Sequence, residues 1–213
     1  AVADKILARE ESLTLKAEKE TVTVLFSDLQ NFTLMSEKIP PEELVGILNE
    51  YLTNMVEIVF KYDGTLDKFI GDGIMAFYGA PVAQPDHSYR AVLSALEMCK
   101  LVDNLAQKWQ NILPVRLNIR IGINTGEVIV GDIGSARRME YTAIGDNVNL
   151  ASRLEATNKD FGTRIIISES TYQQVQDKAL VDPLGTITVR GKEKPTNIYT
   201  VVGWKPAKTS IKL

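Results

Sequence analysis

Two residue types with versatile side-chain chemistry are nearly absent: the 213-residue chain has one cysteine, Cys99, and one histidine, His87. A lone cysteine excludes an intrachain disulfide and fits a reducing compartment, so a cytoplasmic location is expected. His87 lies in Gln-Pro-Asp-His-Ser at the start of a helix, reads as a surface residue and is assigned no role. Cys99 falls on an apolar helix face and reads as a small buried hydrophobe. No apolar run approaches the roughly 20 residues needed to span a bilayer, and no signal-peptide pattern opens the chain. Net charge is only −3, so the basic footprint of a nucleic-acid or anionic-membrane binder is missing as well. What is present is a 45% hydrophobic composition, enough for one domain with a sizeable core. The first residue is alanine and the opening stretch is charged, which reads as one domain of a longer protein.

Two aspartates at the ends of β-forming runs stand out. Thr21-Val-Thr-Val-Leu-Phe-Ser-Asp28 is a run of β-formers ending in a carboxylate, and Lys68-Phe-Ile-Gly-Asp72-Gly-Ile-Met-Ala-Phe77 reads as a hairpin with a Gly-Asp-Gly turn. Neighbouring strands would bring both carboxylates to one sheet edge, where they repel unless protonated or bridged by cations. Hard divalent ions take such oxygen ligands together with substrate phosphates. A paired-metal phosphoryl-transfer site follows. Either aspartate alone reads better as a cap or a turn residue; the pair carries the argument.

Residues 1–20 look helical but sparsely apolar and read as a linker helix from an upstream regulatory module. Residues 21–203 form the catalytic domain and 204–213 a tail. Within the domain, a strand over Val22–Phe26 precedes a helix opened by Pro40-Pro41-Glu-Glu, with proline and acids in its first turn. The hairpin spans Gly64–Tyr78, and a second long helix runs from about Asp86 to Trp109. Strands follow at Val115–Asn124 and Val128–Val130, separated by a Thr125-Gly126 turn, then at Tyr141–Ile144. Asp146 or Asn147 caps a helix to about Ala156. Strands at Arg164–Ser168, Gly185–Val189 and Ile198–Val202 surround a short helix near Ser170. The order predicts an α+β fold with a ferredoxin-like βαββαβ core and extra C-terminal strands.

Four stretches, in order, give the chain a family resemblance: Phe26-Ser-Asp28-Leu-Gln-Asn-Phe-Thr33, Lys68-Phe-Ile-Gly-Asp72-Gly, Gly122-Ile-Asn-Thr-Gly126-Glu-Val, and Tyr141-Thr142-Ala-Ile-Gly145-Asp-Asn-Val-Asn149-Leu-Ala-Ser-Arg153. Together they resemble the class III adenylate/guanylate cyclases, over about residues 20–203. The resemblance implies a catalytic domain that dimerises head to tail and converts a nucleoside triphosphate into a 3′,5′-cyclic monophosphate and pyrophosphate. It further implies that Asp28, Asp72 and the Leu29 carbonyl hold two divalent cations, Mg²⁺ or Mn²⁺, with Ca²⁺ an alternative at one site. Lys68 and Thr142 would read the base. Lysine only donates, which suits adenine N1 and opposes guanine; Thr142 can accept from the 6-amino group but can also donate, so it discriminates weakly. The Lys/Thr pair is similar to the branch of soluble, bicarbonate-responsive cyclases and their cyanobacterial relatives, making ATP the expected substrate.

Asn149 and Arg153 share one helix face. The resemblance gives the asparagine the ribose and the arginine the charge developing at the α-phosphate, a role suited to a permanently charged fork of donors. Arg190 stands where the family usually has a phosphate-binding lysine, with Lys192 and Lys194 competing for that role. Glu127 departs from the arginine found after the Thr-Gly pair in mammalian-type cyclases, so that phosphate contact is expected to be absent or supplied elsewhere. Lys68 and Asp72 lie on one hairpin arm roughly 13 Å apart at about 3.3 Å per residue, long for one small pocket. Two antiparallel copies would solve this: a homodimer with two equivalent sites, each pairing Asp28 and Asp72 of one protomer with Lys68, Thr142, Asn149 and Arg153 of the other. Three rivals stay open: a guanylate cyclase, a catalytically inactive cyclase-like nucleotide-binding domain, and a diguanylate cyclase or polymerase palm.

Overall fold

The first strand is apolar on both faces, and this decides the architecture. β1 (Glu18–Leu29) directs Val22, Val24 and Phe26 to one side and Leu25 and Leu29 to the other; a strand of that kind must be covered twice. The computed structural model describes residues 16–135, 137–188 and 195–205. After β1 come α1 (Phe32–Lys38), α2 (Pro41–Lys61), β2 (Thr65–Ile70), β3 (Gly73–Tyr78), α3 (His87–Lys108), β4 (Ile119–Ser135) and β5 (Arg138–Ile144). They are followed by α4 (Asp146–Phe161), β6 (Ile165–Ser168), α5 (Glu169–Val175), β7 (Ala179–Ile187) and β8 (Thr196–Trp204). The sheet order is β2-β3-β1-β4-β6-β8-β7, with β5 paired to β4. Its first four strands with α2 and α3 make the expected ferredoxin-like βαββαβ core, and β6, β7 and β8 extend it. α2 and α3 cover one face through Tyr51, Met55, Ala95 and Met98, packed on Leu25, Ile74 and Ile121. α4 and β5 cover the other, where Val148, Ala151 and Ala143 meet Val22, Val24, Phe77 and Val128.

Several boundaries differ from the sequence reading. Glu18–Glu20 belong to β1, so the last residues of the expected linker helix are strand; residues 1–15, and the tail beyond 205, lie outside the described residues. α1 was not anticipated. β4 is one 17-residue strand, with no turn at Thr125-Gly126. Its glycines serve helix packing: a Cβ on Gly122 would sit 2.1 Å from the Glu155 nitrogen and 2.3 Å from the Ala151 oxygen, and one on Gly126 would meet the Asn147 side chain at 2.5 Å. α4 therefore lies directly on β4, and Asn124 Nδ2 clasps its first turn by donating to the Asn147 carbonyl at 2.9 Å. The residue preceding α4 is Gly145, with Asp146 already helical, and the helix runs five residues past Ala156 to stop at Gly162, φ 64°. Asn158, in the added stretch, is buried and donates to the Ile121 and Leu154 carbonyls.

The close approach at Gly122 makes a prediction. Gly122→Ala is expected to push α4 off the sheet and cost about 3 kcal/mol or more, as overpacking against backbone does, lowering the melting temperature by roughly 6 °C or more for a domain of this size. A thermal melt that moves by less than a degree would show that the helix can shift without penalty.

Candidate active site

Asp28 is placed by the last turn of the pleat in β1, and Asp72 by the β2–β3 turn. Gly71 adopts φ 61°, which a side chain disfavours. A Cβ on Gly73 would come within 2.2 Å of the Ser27 carbonyl. The Gly-Asp-Gly turn is thereby laid against the end of β1. The Leu29 amide donates to Asp72 Oδ2 at 3.1 Å, tying the second aspartate to the residue after the first. Burial, and then the charge of Asp28 beside it, push the Asp72 carboxyl up to about 6. The sequence-predicted trio Asp28, Leu29 and Asp72 thus meets at one end of the β1–β3 edge.

Two residues at this spot were not anticipated. Arg120 is the cross-strand partner of Asp28 in the β1–β4 ladder and forms an ion pair with its Oδ2. Its Nε lies 2.8 Å from Glu155 Oε1 of α4. Burial raises the Glu155 carboxyl to about 6 despite Arg120. Sequence spacing holds no trace of this bridge, because strand register is fixed by tertiary pairing.

The donor chemistry fits divalent cations of the Mg²⁺ kind. Two adjacent carboxylates, one of which carries a charge that raises the proton affinity of the other, suit bridging by a hard cation whose remaining positions phosphate oxygens can fill. Among the described residues no group of three or more His, Cys, Asp or Glu side chains could form an all-protein cage.

A second cluster lies on β2 and β5. Lys68 Nζ is 3.1 Å from Glu140 Oε2 and 3.3 Å from Asp67 Oδ1. Burial opposes its charge, but Glu140 and Asp67 hold the ammonium above the ordinary lysine value. Thr142 Oγ1 donates to Asp67 Oδ2 at 2.6 Å. Lys68 and Thr142, predicted to act together, are therefore joined through Asp67, a residue the sequence did not single out.

Asn149 and Arg153 are exposed on α4, and Arg153 forms no ion pair among the described residues. Helical geometry places Arg153 about 200° around the axis from Glu155. Glu155 faces Arg120 and the Asp28 end, so Arg153 points away from its own protomer's carboxylate pair. Arg190, with Lys192 and Lys194, lies outside the described residues. Glu127 is exposed and pairs with Lys19 at 2.9 Å. Cys99 is buried as expected, its thiol pushed up to about 11 by burial. His87 corrects the sequence reading: it is half-buried, and its Nδ1 lies 2.7 Å from Thr23 Oγ1 in a chain of hydroxyls that continues to Thr125 and Thr171. Burial lowers its pKa.

Residues 15–203 match the family described as the adenylate and guanylate cyclase catalytic domain. Adenylate cyclase 1 of Rhizobium meliloti is 40% identical over 189 residues, 88% of this chain; the chain spans only 28% of that relative's length. The crystal structure of the adenylyl cyclase CyaB from P. aeruginosa superposes with a TM-score of 0.82 at 40% identity, covering 89% of this chain and 97% of that one. The guanylyl cyclase Cya2 superposes equally well, TM-score 0.82 at 36% identity over 91% and 97% of the two chains. Adenylyl and guanylyl enzymes share the backbone, so base choice must be read from side chains. With its four motifs placed in this sheet and its paired aspartates meeting at one strand end, the chain belongs to the family of adenylate and guanylate cyclase catalytic domains.

Proposed function

We propose that this domain is an adenylate cyclase, converting ATP to 3′,5′-cyclic AMP and pyrophosphate for signalling, at two equivalent sites formed between head-to-tail protomers. The observation that carries the shared site is the rotation of Arg153 away from its own Asp28 and Asp72: a phosphate held at those carboxylates cannot also meet that guanidinium unless a second copy brings it. Exposed apolar residues support such an interface. Phe69 and Ile70 on β2, Met139 on β5, and the paired Ile129 and Ile144 on β4 and β5 are each at least 40% exposed, an arrangement that favours burial by a partner.

In this reading Asp28, Asp72 and the Leu29 carbonyl would hold Mg²⁺ or Mn²⁺, which when bound would supply Lewis-acid activation of the 3′-hydroxyl and charge neutralisation of the triphosphate. Lys68 donates to adenine N1 and Thr142 accepts from the 6-amino group. Asn149 orients the ribose, Arg153 meets the charge that develops on the α-phosphate, and Arg190 contacts the phosphates. The bond from the 3′-oxygen to the α-phosphorus forms as the bond to pyrophosphate breaks, and the hydroxyl proton leaves to solvent or substrate. Catalysis comes mostly from positioning and charge neutralisation.

Purified protein incubated with ATP or GTP and Mg²⁺ or Mn²⁺ is expected to release cyclic AMP and pyrophosphate from ATP, with GTP at least tenfold poorer, since a lysine donor facing guanine's N1–H leaves an unmatched polar contact. Cyclic GMP as the main product, a linear guanine dinucleotide, or no product selects one of the rivals. The upstream regulatory module and the cytoplasmic location belong to the same proposal. Among the described residues no helix is long and apolar enough to cross a membrane.

A further inference from the structure

A threonine hydroxyl is ambiguous toward a purine, because it can accept from adenine's 6-amino group or donate to guanine's 6-oxygen. Here that ambiguity is removed. Thr142 Oγ1 donates to Asp67 Oδ2 at 2.6 Å, and the Ala143 amide donates to the same oxygen at 3.2 Å. The Asp67 side chain is fully shielded from solvent, and a carboxylate only accepts. The single hydroxyl proton is therefore committed to Asp67, and Thr142 is left with lone pairs to offer a base. The other oxygen of Asp67 has no hydrogen-bond donor among the described residues and faces the Lys68 ammonium at 3.3 Å. One buried carboxylate thus touches both side chains assigned to the base.

The backbone is arranged to bring this about. β2 and β3 pair Leu66 with Ala76 and then Lys68 with Met75, so Asp67 is the extra residue of a bulge. Ala76 faces the α2–α3 side of the sheet and Met75 the α4–β5 side. Strict alternation would return Lys68 to the face of Leu66, pointing it at the α2–α3 core. The bulge turns Lys68 to the β5 face and carries Asp67 with it, as bulges re-aim side chains next to active sites.

We infer that Asp67 is a positioning residue for base selection: it holds the Thr142 hydroxyl as an acceptor and the Lys68 ammonium as a donor, the pattern complementary to adenine and opposed to guanine. The inference rests on the reading of Lys68 and Thr142 as the base contacts. Asp67→Asn tests it. An amide can donate as well as accept, so it frees the Thr142 hydroxyl to rotate and donate.

The expected result is a fall of about tenfold in the ratio of kcat/KM for ATP to kcat/KM for GTP, the size of one reoriented hydrogen bond. It should come from a higher KM for ATP and a lower KM for GTP, while kcat for ATP changes less. Asp67→Ser gives the same reading if Asp67→Asn does not fold. In Thr142→Val, which has no hydroxyl to orient, the same change at Asp67 should shift the ratio much less than it does beside Thr142, leaving only what acts through Lys68. Equal losses for the two nucleotides, with the ratio preserved, would make Asp67 a scaffold residue and overturn the inference. A wild-type enzyme that prefers GTP would overturn the adenine reading itself, and is told apart because it appears before any substitution is made.

Discussion

Asp72→Ala and Arg153→Ala are each expected to lose about a thousandfold or more of cyclase activity, and an equal mixture of the two inactive chains to regain about a quarter of the wild-type rate. The losses follow from removing a carboxylate that holds the phosphate-bound cations and an arginine that meets transition-state charge, deletions typically worth roughly 10²–10⁵. The recovery follows from symmetry. Random pairing makes about half the dimers mixed, and each mixed dimer has one site with both groups intact and one with neither. Arg153 lies about 200° from Glu155 on α4, and Glu155 reaches toward Asp28 through Arg120. No rotation about the helix axis could bring both residues to the same carboxylates. The measurement is initial rate against mixing ratio, with gel filtration to verify that both variants fold and associate. Activity that stays at the sum of the two separate preparations would mean that each protomer owns a complete site.

Much of this was legible in the chain because the signals were local. A run of β-formers ending in Asp28, a Gly-Asp-Gly hairpin and a proline-opened amphipathic helix each carry their own physics, and β1, β2, β3 and α2 lie where those signals place them. The Asn149/Arg153 face was legible for the same reason, since helical spacing fixes it. What escaped depends on pairing between distant segments. Thr125-Gly126 looks like a turn, yet β1 pairs with β4 from Glu18↔Val130 to Leu29↔Ile119 and keeps the strand running through it; Gly122 and Gly126 are there to admit α4. Arg120 became visible only when register set it opposite Asp28. Asp67 was hidden by the bulge, because period-two reasoning puts neighbours on opposite faces, whereas here both Asp67 and Lys68 reach β5. The residues that tune the site were the ones that violate local periodicity, or that acquire meaning from a partner more than forty residues away.

Exchanging the base-reading lysine alone is expected to destroy activity rather than redirect it. Lys68→Glu removes the donor for adenine N1 and adds a carboxylate beside Asp67 and Glu140, which now share the Lys68 ammonium. Close like charges without a cation repel one another, most strongly at Asp67, whose side chain is fully shielded, and Arg138, paired with Glu140 at 2.7 Å, is itself largely exposed. The efficiency with ATP should fall by roughly a hundredfold or more, as when a buried recognition group is left unmatched, with no gain for GTP. Combining Lys68→Glu with Asp67→Asn should behave differently. The new carboxylate can accept from guanine N1–H, the amide no longer adds charge, and the released Thr142 hydroxyl can donate to the 6-oxygen. The double variant is therefore expected to turn over GTP faster than ATP, read as cyclic GMP and cyclic AMP by chromatography from a mixture of both nucleotides. If Lys68→Glu by itself produces cyclic GMP as efficiently as the double variant, Asp67 does not govern the polarity of the base pocket. If neither variant accepts GTP while both remain folded and dimeric, a group other than the Lys68–Asp67–Thr142 cluster chooses the base.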